Sequence, residues 1–315
     1  MDPELLYGLA NSGTAAFSVD AQPDLWLSLL IPAYEHPTGV LRILNRLHAA
    51  GDKGVECLIN DDSRSDAVEA AVRNHPLHQA GGVIYRRNRP ALGAVSNWND
   101  LLARARGEYL LLMHHDECPE NDKFFPLLQS QLTKVNSPDM LLLNCLLPTS
   151  DGFRLRCHMP LWIRRVLLAW SPDHLLRHNT QGSPSVMVIR QSHCLLFSPA
   201  LKWLVDVEWM TRTLRLPGIR VNFSRDLAVI SLPHLGTSIT ASLQGEIPRL
   251  RLIEARMIRN HFGTSGVIRL MLPSNWIECA VSGAEQACWL LLRAVIRATD
   301  WFTRRKLPSW LQDGL

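Results

Sequence analysis

An α/β fold on a mostly parallel sheet, flanked by helices and followed by a C-terminal helical appendage, is what this 315-residue sequence predicts. Three observations predict it. Runs such as Tyr109-Leu110-Leu111-Leu112-Met113 are apolar along their whole length, as in strands covered on both faces. Between such runs lie segments with apolar residues at helical spacing, and this alternation implies βαβ units. Beyond Gly245 the strand pattern stops and only helical periodicity continues.

The elements follow in order. Leu27 to Tyr34 reads as the first strand, and Pro32 marks its end because proline cannot donate to a central ladder. Val40, Leu41, Ile43, Leu44 and Leu47 then recur at helical spacing among Arg42, Asn45, Arg46 and His48, until Gly51 stops the helix. A second strand, Val55 to Ile59, ends in Asn60-Asp61-Asp62-Ser63. A third, Val83 to Tyr85, runs into Arg86-Arg87-Asn88-Arg89-Pro90, arginines that solvent or carboxylates would satisfy. A helix from about Ala94 to Ala105 carries Val95, Trp98, Leu101 and Leu102 on one face. The fourth strand ends in His114-His115-Asp116-Glu117. Short apolar strands follow at Val186 to Ile189 and Ala228 to Leu232, then helices at Ile247 to Phe262 and within Trp276 to Arg305.

Two acidic strand ends, Asp61-Asp62 and Asp116-Glu117, thus open onto one carboxyl edge, where open α/β sheets bind ligands. Carboxylates with imidazole there suit a divalent cation holding phosphate oxygens. The structural alternative is a solvated turn, and for one of Asp61 and Asp62 an Asx-type turn before the next helix. Cys118 would suggest zinc, but no paired cysteine completes a tetrahedral set.

Composition narrows the class. A net charge of +4 with no basic stripe interleaved with aromatics gives no case for nucleic-acid binding. The seven cysteines form no CxxC pair, the amino terminus lacks a positive start, and no clear run of ~20 apolar residues appears. The expected location is therefore cytoplasmic. In segment 288–315, Arg293, Arg297, Arg304, Arg305 and Lys306 stand against Asp300 and Asp313, with Trp289, Leu292, Ile296, Trp301, Phe302 and Trp310 as apolar surface. That suits a helix lying on an anionic membrane at the cytoplasmic face, a helix packed on the preceding domain, or a dimer contact.

Four segments together resemble glycosyltransferase family 2. They are Leu30-Ile31-Pro32-Ala33-Tyr34-Glu35, Asn60 through Asp66, Asn88-Arg89-Pro90-Ala91-Leu92-Gly93 with Asn97, and Gly107-Glu108-Tyr109 before the acidic cluster. The resemblance runs to about Gly236. It implies a GT-A fold, a nucleotide-diphosphate sugar donor and inversion at the anomeric carbon. The corresponding layout is an N-terminal extension at 1–25, a catalytic domain at 26–245 and a helical region at 246–315. The catalytic domain divides into a nucleotide-binding half at 26–120 and an acceptor half at 121–245.

By position the resemblance implies that Pro32, Ala33, Tyr34 and Glu35 line the base and ribose and that Asp62 accepts from the base. Asn88, Gly93, Asn97 and a supporting His115 complete the nucleotide set. The acidic cluster departs from the usual Asp-x-Asp-Asp, since His114 replaces the first aspartate. The metal candidates are Asp116, then Glu117, then His114, with His234 joining from a loop whose residues 234–239 form a flap. Imidazole there favours Mn²⁺ over Mg²⁺. Gly182 and Ser183 resemble the loop that approaches sugar and acceptor. In Val205-Asp206-Val207-Glu208-Trp209, Asp206 stands at the position of the family's base, Glu208 is the reserve, and Trp209 is the aromatic of the acceptor side. A structural role for Glu208 is pairing with Arg212 one turn later.

No Gln-x-x-Arg-Trp is present, so a single sugar is added to a saccharide or lipid-linked acceptor, as in cell-surface polysaccharide synthesis. Two other classes stand beside this one. A nucleotidyltransferase would need a Gly-rich phosphate loop after the first strand, and none is there. A non-catalytic sugar-nucleotide-binding scaffold is conceivable from His114 and Val205.

Overall fold

The computed structural model describes residues 24–51, 53–133, 136–149, 154–232, 243, 245–262, 271, 276–299 and 305–306. Strand β1 (Leu27–Ala33) is buried at every position and leads into helix α1 (Pro37–Ala50), which turns Val40, Ile43, Leu44 and Leu47 inward. The chain continues through β2 (Val55–Asp61), two short helices α2 (Ala67–Arg73) and α3 (Pro76–Gln79), β3 (Val83–Arg87), α4 (Ala94–Arg104) and β4 (Tyr109–Leu112). These four strands are parallel in the order β3-β2-β1-β4. β2 runs two residues further than its apolar core predicts, because Asn60 and Asp61 carry their own partners into the ladder. Asn60 donates to Asp100, and Asp61 accepts from Tyr85 Oη at 2.6 Å and from the Ser63 amide at 2.8 Å.

The second half reverses direction. β5 (Glu117–Pro119), α5 (Phe124–Leu132), β6 (Met140–Pro148), β7 (Arg154–Cys157), α6 (Leu161–Trp170), β8 (Met187–Arg190), α7 (Val205–Leu214) and β9 (Val221–Ser231) follow in order. The path extends β4-β8-β6-β7 with antiparallel pairings, while β9 lies parallel to β6 and antiparallel to β5. The sheet is therefore mixed, parallel on the side of β1 and mainly antiparallel beyond β4. β5, β6, β7 and α6 carry no signal that periodicity alone separates from loop or core segment.

Two glycines show how tightly the parallel half is packed at its two ends, Gly107 at the amino end of β4 and Gly39 beside the site edge. A Cβ on Gly107 would lie 2.4 Å from the Ser28 amide nitrogen, and one on Gly39 would lie 1.8 Å from the His115 carbonyl oxygen. Only a residue without a side chain lets α1 and the approach to β4 come this close.

Helix α8 (Ile247–Phe262) matches its predicted span and α9 (Trp276–Thr299) begins where expected; a two-residue strand, β10 (Arg305–Lys306), pairs antiparallel with β7. α8 is part of the body rather than a separate unit, with Glu254, Ala255 and Ile258 buried. α9 lays Ser282, Glu285, Trp289, Leu292 and Ile296 toward the body, all of them half-buried. Trp289, Leu292 and Ile296 thus face the body, the packed arrangement among those the sequence allowed, because that spacing makes one helical stripe. Val281, Leu290, Leu291 and Val295 are exposed large apolar residues of this helix. The stretch Cys279–Arg297 has a mean hydropathy of 1.3 and is long and apolar enough to cross a membrane by length and composition, which the sequence reading had discounted. Trp301, Phe302 and Trp310 lie outside the described residues.

Candidate active site

The carboxyl ends of β1, β2 and β4 converge on one edge of the sheet, and nearly every residue expected there is engaged. Asp62 is buried, and its carboxylate accepts from Asn88 Nδ2 at 2.8 Å, the Leu92 amide at 3.2 Å and the Gly93 amide at 2.8 Å. Three of the predicted nucleotide residues, Asp62, Asn88 and Gly93, are thereby joined in one knot that shapes the loop after β3. The Asx-turn role falls to Asp61. Asn97, at the start of α4, reaches the Asn60 carbonyl, and the buried Oδ1 atoms of Asn88 and Asn97 have no partner among the described residues. Such orphaned acceptors match a ligand that brings N–H or O–H donors.

Pro32 and Ala33 are buried at the end of β1, and Tyr34 is half-buried beside them. Glu35 sits at φ 49° and turns its carboxylate onto the next loop, accepting from the Arg64 and Ser65 amides at 2.6 and 3.0 Å and from Ser65 Oγ at 2.5 Å. The Ser65 hydroxyl and amide, aided by Arg64, hold its pKa below the usual value. Arg87 is bound to Asp66, Glu69 and three loop carbonyls, and Arg86 reaches Asp100, so these arginines brace the edge.

The cluster after β4 forms the second wall. Ligand atoms of His114, Asp116 and Glu117 all lie within 4.8 Å of one another. The His114 ring packs on Trp98 with centroids 4.9 Å apart, its Nδ1 is 3.8 Å from Glu117, and its buried Nε2 has no partner among the described residues. Glu117 is buried and accepts from the hydroxyls of Ser183 and Ser185. Burial, with Asp116 next to it, raises its pKa to about 7. His115 points the other way, its Nδ1 3.1 Å from the Pro32 carbonyl. Burial pushes the Cys118 thiol up to about 12. His234 and its flap lie outside the described residues.

The third wall is α7. Asp206 stands in its first turn and lines a cavity of about 360 Å³ together with Trp98, Asn179, Lys202, Trp203 and Arg251. Burial raises its pKa to about 6. The charge of His114 pulls it down, and those of Glu117 and Asp116 push it up, which places Asp206 within electrostatic reach of the acidic cluster. Glu208 is buried and turned to Arg212, with Oε1 2.7 Å from Nε and Oε2 3.1 Å from Nη2. Trp209 is in the core, stacked on Phe197 at 4.5 Å and donating to the Leu195 carbonyl at 2.6 Å. Gly182, at φ 111°, is buried over Cys145, while the neighbouring Ser183 reaches Glu117.

Two contributors escaped the sequence reading. Ser185 donates to Glu117 and also accepts from the His114 amide at 3.1 Å, locking the cluster to the loop before β8. Glu254 of α8 accepts from the amides of Lys202, Trp203 and Leu204 at 2.7 to 3.1 Å, capping the start of the helix that carries Asp206. No local pattern announces either, since each acts across a long sequence separation.

Residues 28–137 match the family model described as Glycosyl transferase family 2. No curated protein matches the chain. Among solved structures, residues 1–349 of S. aureus TarS in complex with UDP-GlcNAc are similar at 15% identity and TM-score 0.57, over 79% of this chain and 70% of that one. The same protein with UDP aligns at 16% identity and TM-score 0.50, over 81% and 77%. Glucosyl-3-phosphoglycerate synthase from Mycobacterium tuberculosis, with Mn²⁺, UDP and glucosyl-3-phosphoglycerate, aligns at 15% identity and TM-score 0.48, over 84% and 85%. The likeness to TarS is one of fold, and the family match falls on the segment that builds the parallel half of the sheet and its acidic edge. Over residues 28–137 this chain is therefore similar to glycosyltransferase family 2, and its fold is that of the TarS structures.

Proposed function

We propose that this glycosyltransferase transfers a single sugar, with inversion, from a nucleoside-diphosphate sugar to a saccharide or lipid-linked acceptor of cell-surface polysaccharide synthesis. The observation that carries the reading is Asp206, a desolvated carboxylate that faces a cavity on one side and feels the charges of His114, Asp116 and Glu117 on the other.

Asp62, braced by Asn88 and Gly93, presents its remaining lone pairs to an imide N–H of the base, and the orphaned Oδ1 atoms of Asn88 and Asn97 supply further acceptors. Pro32, Ala33 and Tyr34 form the wall of that pocket. Glu35 and His115 act by fixing the loops around it. The unpartnered Nε2 of His114, with the carboxylates of Asp116 and Glu117, fits a divalent cation, Mn²⁺ or Mg²⁺. Bound there, the cation would offset the negative charge of the donor diphosphate.

In the transfer step, the acceptor oxygen forms its bond to the anomeric carbon while the bond from that carbon to the diphosphate oxygen breaks. The acceptor proton passes to Asp206. A carboxylate whose pKa is raised to about 6 holds that proton better than an ordinary aspartate, yet is ionised at neutral pH. With Glu208 held by Arg212, Asp206 is the carboxylate of this turn left open to the cavity. The enzyme works at the cytoplasmic face of the membrane when its acceptor is lipid-linked, with α9 as the contact.

The test is donor turnover across a panel of nucleotide-sugars with Mn²⁺, first with water and then with acceptor, in wild type and Asp206→Asn. Donor binding that survives the substitution while transfer falls about 10²–10⁴-fold supports the reading, since that is the usual worth of a positioned general base. Undiminished transfer in Asp206→Asn would remove it.

A further inference from the structure

Beside the cavity that holds Asp206 lies a second one of about 420 Å³. The two share Arg177, Asn179 and Arg251 as lining, so they adjoin. Arg177, Arg251, Arg156, Arg293 and Arg297 line the second cavity, the last two from α9. The carboxylate that answers them among the described residues is Glu285, which is bound to Arg177 at 2.5 Å and to His178 at 2.6 Å. The two imidazoles at the cavity add no charge at neutral pH. Burial lowers the pKa of His158, and Arg156, Arg164 and Arg293 lower it further. Burial likewise lowers that of His178, with Arg177 and Arg251 opposing the pull of Glu285. His178 stacks flat on Trp289 at 4.3 Å, giving the cavity one planar wall.

Five guanidinium groups around one small cavity repel one another, and they are stable together when an anion shares their donors. The planar fork of arginine matches the oxygens of phosphate in pairs. We infer that this cavity is the subsite for a phosphate group of the acceptor, and that the substrate accepting the sugar is a phosphate-bearing polyol or saccharide, free or as a lipid headgroup. Its hydroxyl lies at Asp206 and its phosphate among the arginines. This inference rests on Asp206 as the group that faces the acceptor. It also gives α9 a role, since Arg293 and Arg297 close the subsite from outside.

The experiment is calorimetric titration of the full chain, without metal, with glycerol 3-phosphate, and co-sedimentation with vesicles of phosphatidylcholine alone or with added phosphatidic acid. The variants are Arg293→Gln with Arg297→Gln, both on the exposed side of α9 and safe for the fold. Glucuronate serves as a carboxylate control. The expected result is binding of glycerol 3-phosphate, of phosphatidic acid vesicles, or of both, unaffected by excess UDP or GDP, and weakened about tenfold or more in the double variant, as for loss of charged hydrogen bonds. Arg293→Lys should retain part of it. Binding of neither probe, binding that survives the double variant, displacement by the nucleotides, or glucuronate bound as tightly as the phosphate would each overturn the inference. Binding of UDP or GDP with Mn²⁺, measured separately, reports on the donor site. Its failure beside intact phosphate binding would count against the proposed function and leave the subsite standing.

Discussion

Asp206 and Glu117 are buried carboxylates whose burial raises the pKa and costs stability once they ionise. For Asp206, burial raises the folded pKa from 3.8 to about 6. Between those values the folded state binds more protons than the unfolded state, so its contribution to stability is present at low pH and is lost as pH rises through about 6. The cost at neutral pH is on the order of 3 kcal/mol. Asp206→Asn should therefore melt higher than wild type near neutral pH and show no such advantage below about pH 4, by urea unfolding at both pH values, even as transfer collapses. A variant less stable at neutral pH would show that burial is not what raises this pKa. The same raised pKa predicts that turnover falls as pH drops through about 6, a limb that Asp206→Asn must lack. At Glu117, raised to about 7, a cation must displace a proton once pH is below that value. Mn²⁺ affinity should thus weaken from pH 8 to pH 6, and Asp116→Ala should abolish Mn²⁺-dependent stabilisation by a nucleoside diphosphate, both read as shifts in melting temperature.

At the scale of elements, the helix that carries Asp206 is set by a residue far along the chain. The amide at the cap of a helix has no partner within it, and the carboxylate of Glu254 takes that of Leu204 together with those of Lys202 and Trp203 in the turn just ahead of α7. Glu254→Ala leaves these donors without that partner, the buried Leu204 amide among them, at about 1–3 kcal/mol. It should lower both stability and transfer while donor binding holds, since the acidic cluster after β4 is untouched. Glu254→Gln, which accepts through one oxygen, should fall between. Equal loss of donor binding and transfer would mean that α8 supports the whole fold rather than the placement of Asp206. The nucleotide edge has the same character, because the loop after β3 hangs on Asp62 through Asn88, Leu92 and Gly93. Asp62→Ala should weaken any nucleoside diphosphate, with or without sugar. A loss confined to sugar-bearing donors would move Asp62 away from the base.

For the whole molecule, the parallel half holds the acidic edge proposed for the nucleotide, the antiparallel half carries the serine loop and α7, and the C-terminal helices close the side proposed for the acceptor. α9 turns one stripe inward and leaves Leu290, Leu291 and Val295 to solvent at 57%, 68% and 59% exposure. Residues already in water contribute little to folding, so Leu290→Ser with Leu291→Ser should leave the melting temperature within about 1–2 °C and reduce binding to vesicles of any headgroup. Vesicle binding unaffected by that change would assign the face to something other than a lipid surface.

What the sequence determined by itself is the set of elements whose signal is local. The apolar runs of β1, β2 and β4, the helical stripes of α1, α4 and α8, and the acidic strand ends Asp61-Asp62 and Asp116-Glu117 were all legible, because periodicity and burial on both faces are written into neighbouring residues. An Asx turn at one of Asp61 and Asp62, and the pairing of Glu208 with Arg212, were legible for the same reason, while the structure chose Asp61 for the turn. Tertiary structure decided the rest. It placed Trp209 in the core against Phe197, turned Glu35 onto its neighbouring loop, brought Ser183 and Ser185 to Glu117, and carried Glu254 to the start of α7. It also gathered arginines from β7, α8 and α9 into one cavity. Each of these depends on which distant segments share a volume, a choice made by packing the core as a whole and not by any pattern within a single element.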